Sequence, residues 1–281
     1  ESRRGLAVFL GAIAACGFQP LGLWPLTILA MAGFIAIADR VKTRWQAFGL
    51  GWLFGLGHFT IGNWWIATAF THQAAMPHWL GGVAVVLLSL YLAVFPALAT
   101  LASRLFTVAV RRENSDSAPP VWFGLIFAAF WIITEWMRAW VFTGFAWNPL
   151  GAALLGPFET PGLAFVTKWI GTYGLSGLTV VLAALLALAV CSGIAANGRK
   201  RMAVAFASLA GVAVLTAIML PAAPSALPKG GLAFTLVQPD VRQEVLNDPR
   251  HYEANFRKTA DLTVPLAPGQ RRVVFWPESG L

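Results

Sequence analysis

Charge is what this chain has least of. Asp, Glu, Lys and Arg together make up 11% of its 281 residues, where a soluble domain carries about 25%. That scarcity argues against an ordinary water-soluble domain. With 58% hydrophobic residues and a mean hydropathy of +0.68, it points to a membrane as solvent. Cysteine is nearly missing as well. Cys16 and Cys191 lie far apart in apolar runs, with no CxxC and no Cys/His cluster. The four histidines, His58, His72, His78 and His251, form no ligand pattern. Neither a metal nor a cofactor is expected. The net charge of +8 could suggest nucleic acid, but its distribution argues against it. Residues 1–221 hold 13 Lys/Arg against 6 Asp/Glu, and residues 222–281 hold 7 against 6. The excess sits between apolar runs, and no basic face with interleaved aromatics exists, so no nucleic-acid partner is expected.

The apolar runs predict seven membrane helices, at about 5–17, 23–38, 45–70, 79–110, 121–140, 163–193 and 202–221. Pro20 and Pro25 break the chain between the first two, and Pro96 is expected to kink or shorten the fourth. Basic residues fall on alternate connections. Arg3 and Arg4 precede the first helix; Arg40, Lys42 and Arg44 follow the second; Arg104, Arg111 and Arg112 follow the fourth; Arg199, Lys200 and Arg201 follow the sixth. The loops 18–22 and 71–78 have neither Lys nor Arg. The positive-inside rule then puts the N-terminus in the cytoplasm and residues from 222 onward on the opposite face, which in a Gram-negative bacterium is the periplasm. Pro221, Pro224, Pro228 and Lys229-Gly230-Gly231 mark a linker over 222–231, separating a bundle at 1–221 from a polar part at 232–281.

In that last part the runs 232–240 and 271–279 read as buried strands, with a helix over about 249–263 between them. This order implies a parallel βαβ unit. Tyr252, Phe256, Ala260 and Thr263 have the spacing of a sheet-facing stripe. About 60 residues cannot bury a stable core alone, so the unit should lean on the bundle or be continued by more chain. The sequence opens at Glu1 and stops just after a strand-like run, so both ends read as trimmed.

Four residues could carry chemistry. Glu278 ends the run Val273-Val274-Phe275-Trp276-Pro277, where a parallel sheet places its ligands. A carboxylate beside Trp276 there reads either as a general base or as a solvated loop residue. Glu135 and Arg138 are three apart near the end of the fifth helix. They read either as a functional pair at membrane depth or as an interfacial pair whose Arg snorkels to the headgroups. Such an Arg could bind a lipid phosphate. Trp147 belongs with Trp64, Trp65, Trp79, Trp136 and Trp140, an aromatic belt of which one or two members could line a lipid path. Gly51 and Gly55 form a GxxxG pair, a mark of close helix packing. Cys16, after Ile13-Ala14-Ala15, imitates a lipoprotein signal, but a spanning sequence follows it. Cys191 reads as a packing residue.

Several runs carry a family resemblance. GLGWLFGLGHFTIGNWWIA (49–67), TEWMRAWVFTGFAWNPLG (134–151), FTLVQPD (234–240) and VVFWPES (273–279) resemble, in order, segments of the apolipoprotein N-acyltransferase family. The resemblance implies a polytopic α-helical bundle followed by the start of an α/β nitrilase-like (α-β-β-α) domain. It implies transfer of an acyl chain from a phospholipid to the N-terminal amine of a diacylated, S-diacylglyceryl-cysteine lipoprotein. The family does this through a Glu-Lys-Cys triad and a thioester acyl-enzyme. Glu278 matches the triad's Glu, the general base. Arg138, Trp147 and Glu135 match motif positions at a lipid-facing mouth. The triad's Lys and Cys have no counterpart before residue 281 and lie downstream in the family, so the chain as written is not expected to turn over. Asn247 stands where the family usually has Trp. The expected partners are the phospholipid donor, the lipoprotein acceptor and membrane lipids, with the protein a monomer. The rival readings are another nitrilase-like amidase or acyltransferase, a transporter, and a scaffold. A transporter would want internal repeats and discontinuous helices, and no clear repeat is seen.

Overall fold

Small residues set how closely the helices of the first part approach. A computed structural model describes residues 2–72, 77–113, 121–142, 144–157, 160–195, 198–220, 230, 232–246, 248–264 and 271–277. The chain divides into two units, one of residues 1–71 and 75–223 and one of 72–74 and 224–281. The first is helical. It contains α1 (Ser2–Ala15), α2 (Trp24–Ala38), α3 (Arg44–Gly62), α4 (Trp65–Ala69), α5 (Trp79–Leu92), α6 (Val94–Glu113), α7 (Val121–Trp140), α8 (Thr167–Ala195) and α9 (Arg199–Met219).

Each boundary has a local cause. Pro25 opens α2 in its first turn, where its missing N–H costs nothing. Thr43 caps α3 by accepting from Gln46 N at 3.2 Å. The run expected over 45–70 is divided, because α3 stops at Gly62 with Asn63 as its cap and α4 begins two residues later. The run expected over 79–110 is divided at Ala93. Pro96 is the reason: its ring crowds the carbonyl four residues back, that of Leu92, which is where α5 ends. The sixth run is a 3-10 turn, Leu163–Val166, leading into α8, and α8 is interrupted at Gly171 (φ 68°, ψ 177°). That backbone region is open to glycine almost alone.

Helix α3 is central. A Cβ at Gly57 would lie 3.0 Å from Ala12 N on α1, and one at Gly11 would lie 2.9 Å from His58 N on α3. On another face, a Cβ at Gly51 would meet Pro96 O at 2.6 Å, and one at Gly55 would meet Ala93 Cα at 2.8 Å. The GxxxG pair thus packs on the α5–α6 junction, as its spacing leads one to expect. Phe34, Phe54, Phe123, Phe127 and Trp131 fill the interior, with the Phe34 and Phe54 rings 4.3 Å apart. The outward faces are apolar too: Phe9, Leu29, Leu87, Leu105, Leu125, Ile133 and Leu185 are all exposed. Trp79–Val110 and Leu163–Cys191 are long and apolar enough to cross a membrane. A helical unit apolar inside and out has the surface of a membrane protein. Cys191 is exposed beside a cleft lined by Ile35, Asp39, Arg40 and Phe123, not packed as expected.

The second unit contains β1 (Ala233–Leu236), α10 (Gln243–Leu246), α11 (Tyr252–Asp261) and β2 (Arg272–Phe275). The strands pair in parallel, Ala233 opposite Arg272 and Leu236 opposite Phe275, with α11 between them in sequence. One sheet face carries Thr235 and Arg272, and Arg272 bonds both Thr235 Oγ1 and the carbonyl of Thr263. The other carries Phe234, Leu236, Val273 and Phe275, all exposed. The stripe expected on α11 is not the buried one. Asn255 and Thr259 are buried, while Tyr252 and Phe256 are about half exposed. Thr259 is buried with its hydroxyl satisfied, donating to the Asn255 carbonyl one turn back at 2.9 Å.

Candidate functional site

The last three turns of α7 place Trp131, Glu135 and Arg138 along one face, at spacings of four and three. Glu135 is 1% exposed and Arg138 2%. Their charges lie 3.4 Å apart, Arg138 Nη2 to Glu135 Oε2. The same carboxylate oxygen accepts from Trp131 Nε1 at 3.1 Å and from Leu150 N at 2.9 Å. The guanidinium donates to Ala146 O at 3.4 Å and lies 4.9 Å over the ring of Phe59 on α3. Arg138 therefore does not snorkel. The pair is enclosed, and it survives burial because each charge neutralises the other and finds further polar partners.

What the pair grips is the loop after α7. Arg138 holds its Ala146 carbonyl and Glu135 holds its Leu150 amide, so Trp147, Asn148 and Pro149 lie between the two anchors. A third anchor follows, Gly151 N to Ser176 Oγ on α8 at 2.9 Å, and it leads into the 3-10 turn Leu150–Leu154. The loop backbone needs this restraint. Phe142 (φ 62°), Trp147 (φ 44°) and Asn148 (φ 52°) are left-handed without being glycine, an arrangement that persists only where the surroundings impose it. Trp147 is half-buried, with the ring of Phe145 edge-on at 4.9 Å. Asn148 reaches α3, where a Cβ on Gly62 would lie 2.6 Å from its Nδ2.

The structure thus brings three of the four expected site residues together: Glu135, Arg138 and the loop bearing Trp147. Glu278 and Asn247 lie outside the described residues, as do residues 221–229 and 231 of the expected linker. The nearest described neighbours of Glu278 in sequence are Trp276 and Pro277. Trp276 Nε1 donates to Thr263 Oγ1 at 2.8 Å, and its ring meets Phe256 edge-on at 6.0 Å. Among the other tryptophans, Trp64, Trp65, Trp79, Trp136 and Trp140 are all exposed.

Two neighbours of the pair carried no signal in the sequence reading. His58, 1% exposed, sits among Phe18, Phe54 and Phe59. Asn63, also 1% exposed, caps α3. A polar side chain inside an apolar run was the available clue. Elsewhere, in the second unit, Asp248 accepts from Arg250 N, Nε and Nη2, and these bonds hold its carboxyl down to a pKa of about 2.

Residues 10–185 match the family described as the apolipoprotein N-acyltransferase N-terminal domain. An apolipoprotein N-acyltransferase of Caulobacter vibrioides is 32% identical over 280 residues, covering 98% of this chain and 49% of the relative. One from Ralstonia nicotianae is 37% identical over 214 residues, covering 75% and 37%. One from Brucella melitensis is 34% identical over 293 residues, covering 99% and 52%. The chain spans about half the length of the relatives it matches. The match over 10–185 takes in α7, its enclosed ion pair and the loop they grip, and on it the chain belongs to the apolipoprotein N-acyltransferase family, whose N-terminal domain it carries.

Proposed function

We propose that the full-length protein moves an acyl chain from a membrane phospholipid to the N-terminal amine of a diacylated lipoprotein, in the bacterial inner membrane. The observation that carries this is the match of 98% of the chain to an apolipoprotein N-acyltransferase at 32% identity. The motif runs at 134–151 and 273–279 add to it.

The chemistry proposed is two-step covalent catalysis. Glu278 takes the proton of a cysteine thiol supplied by the remainder of a nitrilase-like domain. The thiolate attacks the phospholipid ester carbonyl, a lysine of the same triad helps stabilise the oxyanion, and the ester C–O bond breaks. Lysophospholipid leaves with a proton, and a thioester remains. The lipoprotein amine then attacks the thioester carbonyl, the C–S bond breaks, and the thiol is restored as the amide forms. Glu135 and Arg138 act in this scheme as positioning residues. They hold the 146–150 backbone so that Trp147 faces the donor near headgroup level, which supports the lipid-mouth reading without direct contact from either charge. The apolar bundle surface supports placement in the membrane. The bond from Arg104 Nη2 to Lys42 O at 3.3 Å supports the two basic connections sharing one, cytoplasmic, end. Residues from 222 onward then emerge in the periplasm.

The test is Glu278→Gln in the full-length protein. Membrane insertion should be normal and the acyl-enzyme thioester, read by intact mass, should vanish. Thioester accumulating at the normal rate would remove Glu278 from the base role.

A further inference from the structure

Four buried side chains, the ion pair and two residues of α3 and its cap, keep hydrogen-bonding atoms that no group among the described residues meets. They are both amide atoms of Asn63, Nδ1 of His58, Oε1 of Glu135 and Nε of Arg138. Each of these residues is only 1–2% exposed. Buried polar atoms left unpaired are rare because the lost solvation is not returned. Here five atoms in one neighbourhood share that condition.

The neighbourhood is continuous. The Arg138 guanidinium lies over Phe59. Asn63 is one helical turn beyond Phe59 and its N–H bonds to the Phe59 carbonyl at 3.0 Å, so both occupy the same face of α3. His58 precedes Phe59, and its ring lies 5.1 Å from the Phe59 ring that the guanidinium covers. Gly62, beside Asn63, abuts Asn148 in the gripped loop.

The open valences define what fits. Asn63 Nδ2 and Arg138 Nε donate; Asn63 Oδ1 and Glu135 Oε1 accept. The Arg138 charge is already matched by Glu135. An anion placed here would meet the carboxylate, and a cation would meet the guanidinium. A small neutral molecule that donates and accepts at once satisfies the set. We propose that ordered internal water lies among these atoms, completing the hydrogen bonding of Asn63 and the ion pair and tying α3 to the 146–150 loop. Buried waters make about three hydrogen bonds each to otherwise unsatisfied groups, and the five open atoms here suffice for at least one. Asn63 is thereby a positioning residue, acting on the loop through water.

The inference does not depend on the reaction and is tested on the full-length protein in lipid nanodiscs. A density map fine enough to show bound water should place one within hydrogen-bond distance of an Asn63 amide atom and of Glu135 Oε1 or Arg138 Nε. No water there, or direct protein partners for both Asn63 atoms, overturns the proposal. A second measurement uses Asn63→Leu, which keeps the side-chain size and removes both polar atoms. Thiol labelling at Leu150→Cys, a fully buried position whose amide Glu135 holds, in a background with Cys16 and Cys191 replaced by Ser, should speed up about three- to tenfold when Asn63→Leu is added, the factor one lost hydrogen bond gives. An unchanged labelling rate overturns the role of water in holding the loop.

Discussion

Glu135 serves three partners through one oxygen: the charge of Arg138, the indole of Trp131 and the amide of Leu150. Removing it leaves a buried, unmatched cation. Glu135→Ala should therefore destabilise the full-length protein by about 3–5 kcal/mol, the cost of breaking a buried pair from one side. The double variant Glu135→Leu with Arg138→Met should recover much of that loss, because apolar side chains of similar volume replace a buried pair at little cost. Thermal unfolding in detergent measures both, and strictly additive losses would show that the two residues do not act as a pair. The spacing of Glu135 and Arg138 was legible in the sequence, and so was their cost at membrane depth. Their burial was not, because it is supplied by Phe59 on another helix and by a loop up to 15 residues further on. The burial of His58 and Asn63 was not legible for the same reason: it comes from tertiary packing, His58 lying among Phe18, Phe54 and Phe59.

Helix α3 has close neighbours on two faces. Gly51 and Gly55 face the α5–α6 junction and Gly57 faces α1, whereas among the described residues nothing lies within 4 Å of a Cβ on Gly49. Gly51→Val should thus force the helices apart and cost about 1–3 kcal/mol or more. Gly49→Ala should be neutral or stabilise by up to about 1 kcal/mol, through helix propensity alone. Comparing their thermal midpoints checks the packing, and equal midpoints would contradict it. Hydropathy made the helical runs legible, and Pro96 announced the break in the fourth. The end of α3 at Gly62 was hidden because Trp64-Trp65-Ile66-Ala67 continues the apolar run past the cap. The buried face of α11 was misread for a different reason. Periodicity shows that Tyr252 and Phe256 align, but not that Asn255 and Thr259 are the residues buried.

For the whole molecule, the proposed sidedness makes a direct demand. In the full-length protein, alkaline phosphatase fused after Gly230 should be active, as in the periplasm, and fused after Lys42 it should be inactive. The reverse pattern would put the 232–281 segment in the compartment where lipoproteins do not mature. The sheet adds a second demand at this scale, since Phe234, Leu236, Val273 and Phe275 form an apolar face that is exposed among the described residues and parallel sheets are covered on both faces. The most direct measurement of the central claim is made on the purified full-length protein in phospholipid nanodiscs, given a diacylated lipopeptide with a free N-terminal amine. Mass spectrometry should show the peptide gaining one acyl chain as an amide while lysophospholipid appears in equal amount. A peptide returned unmodified by the folded, inserted protein would contradict the account.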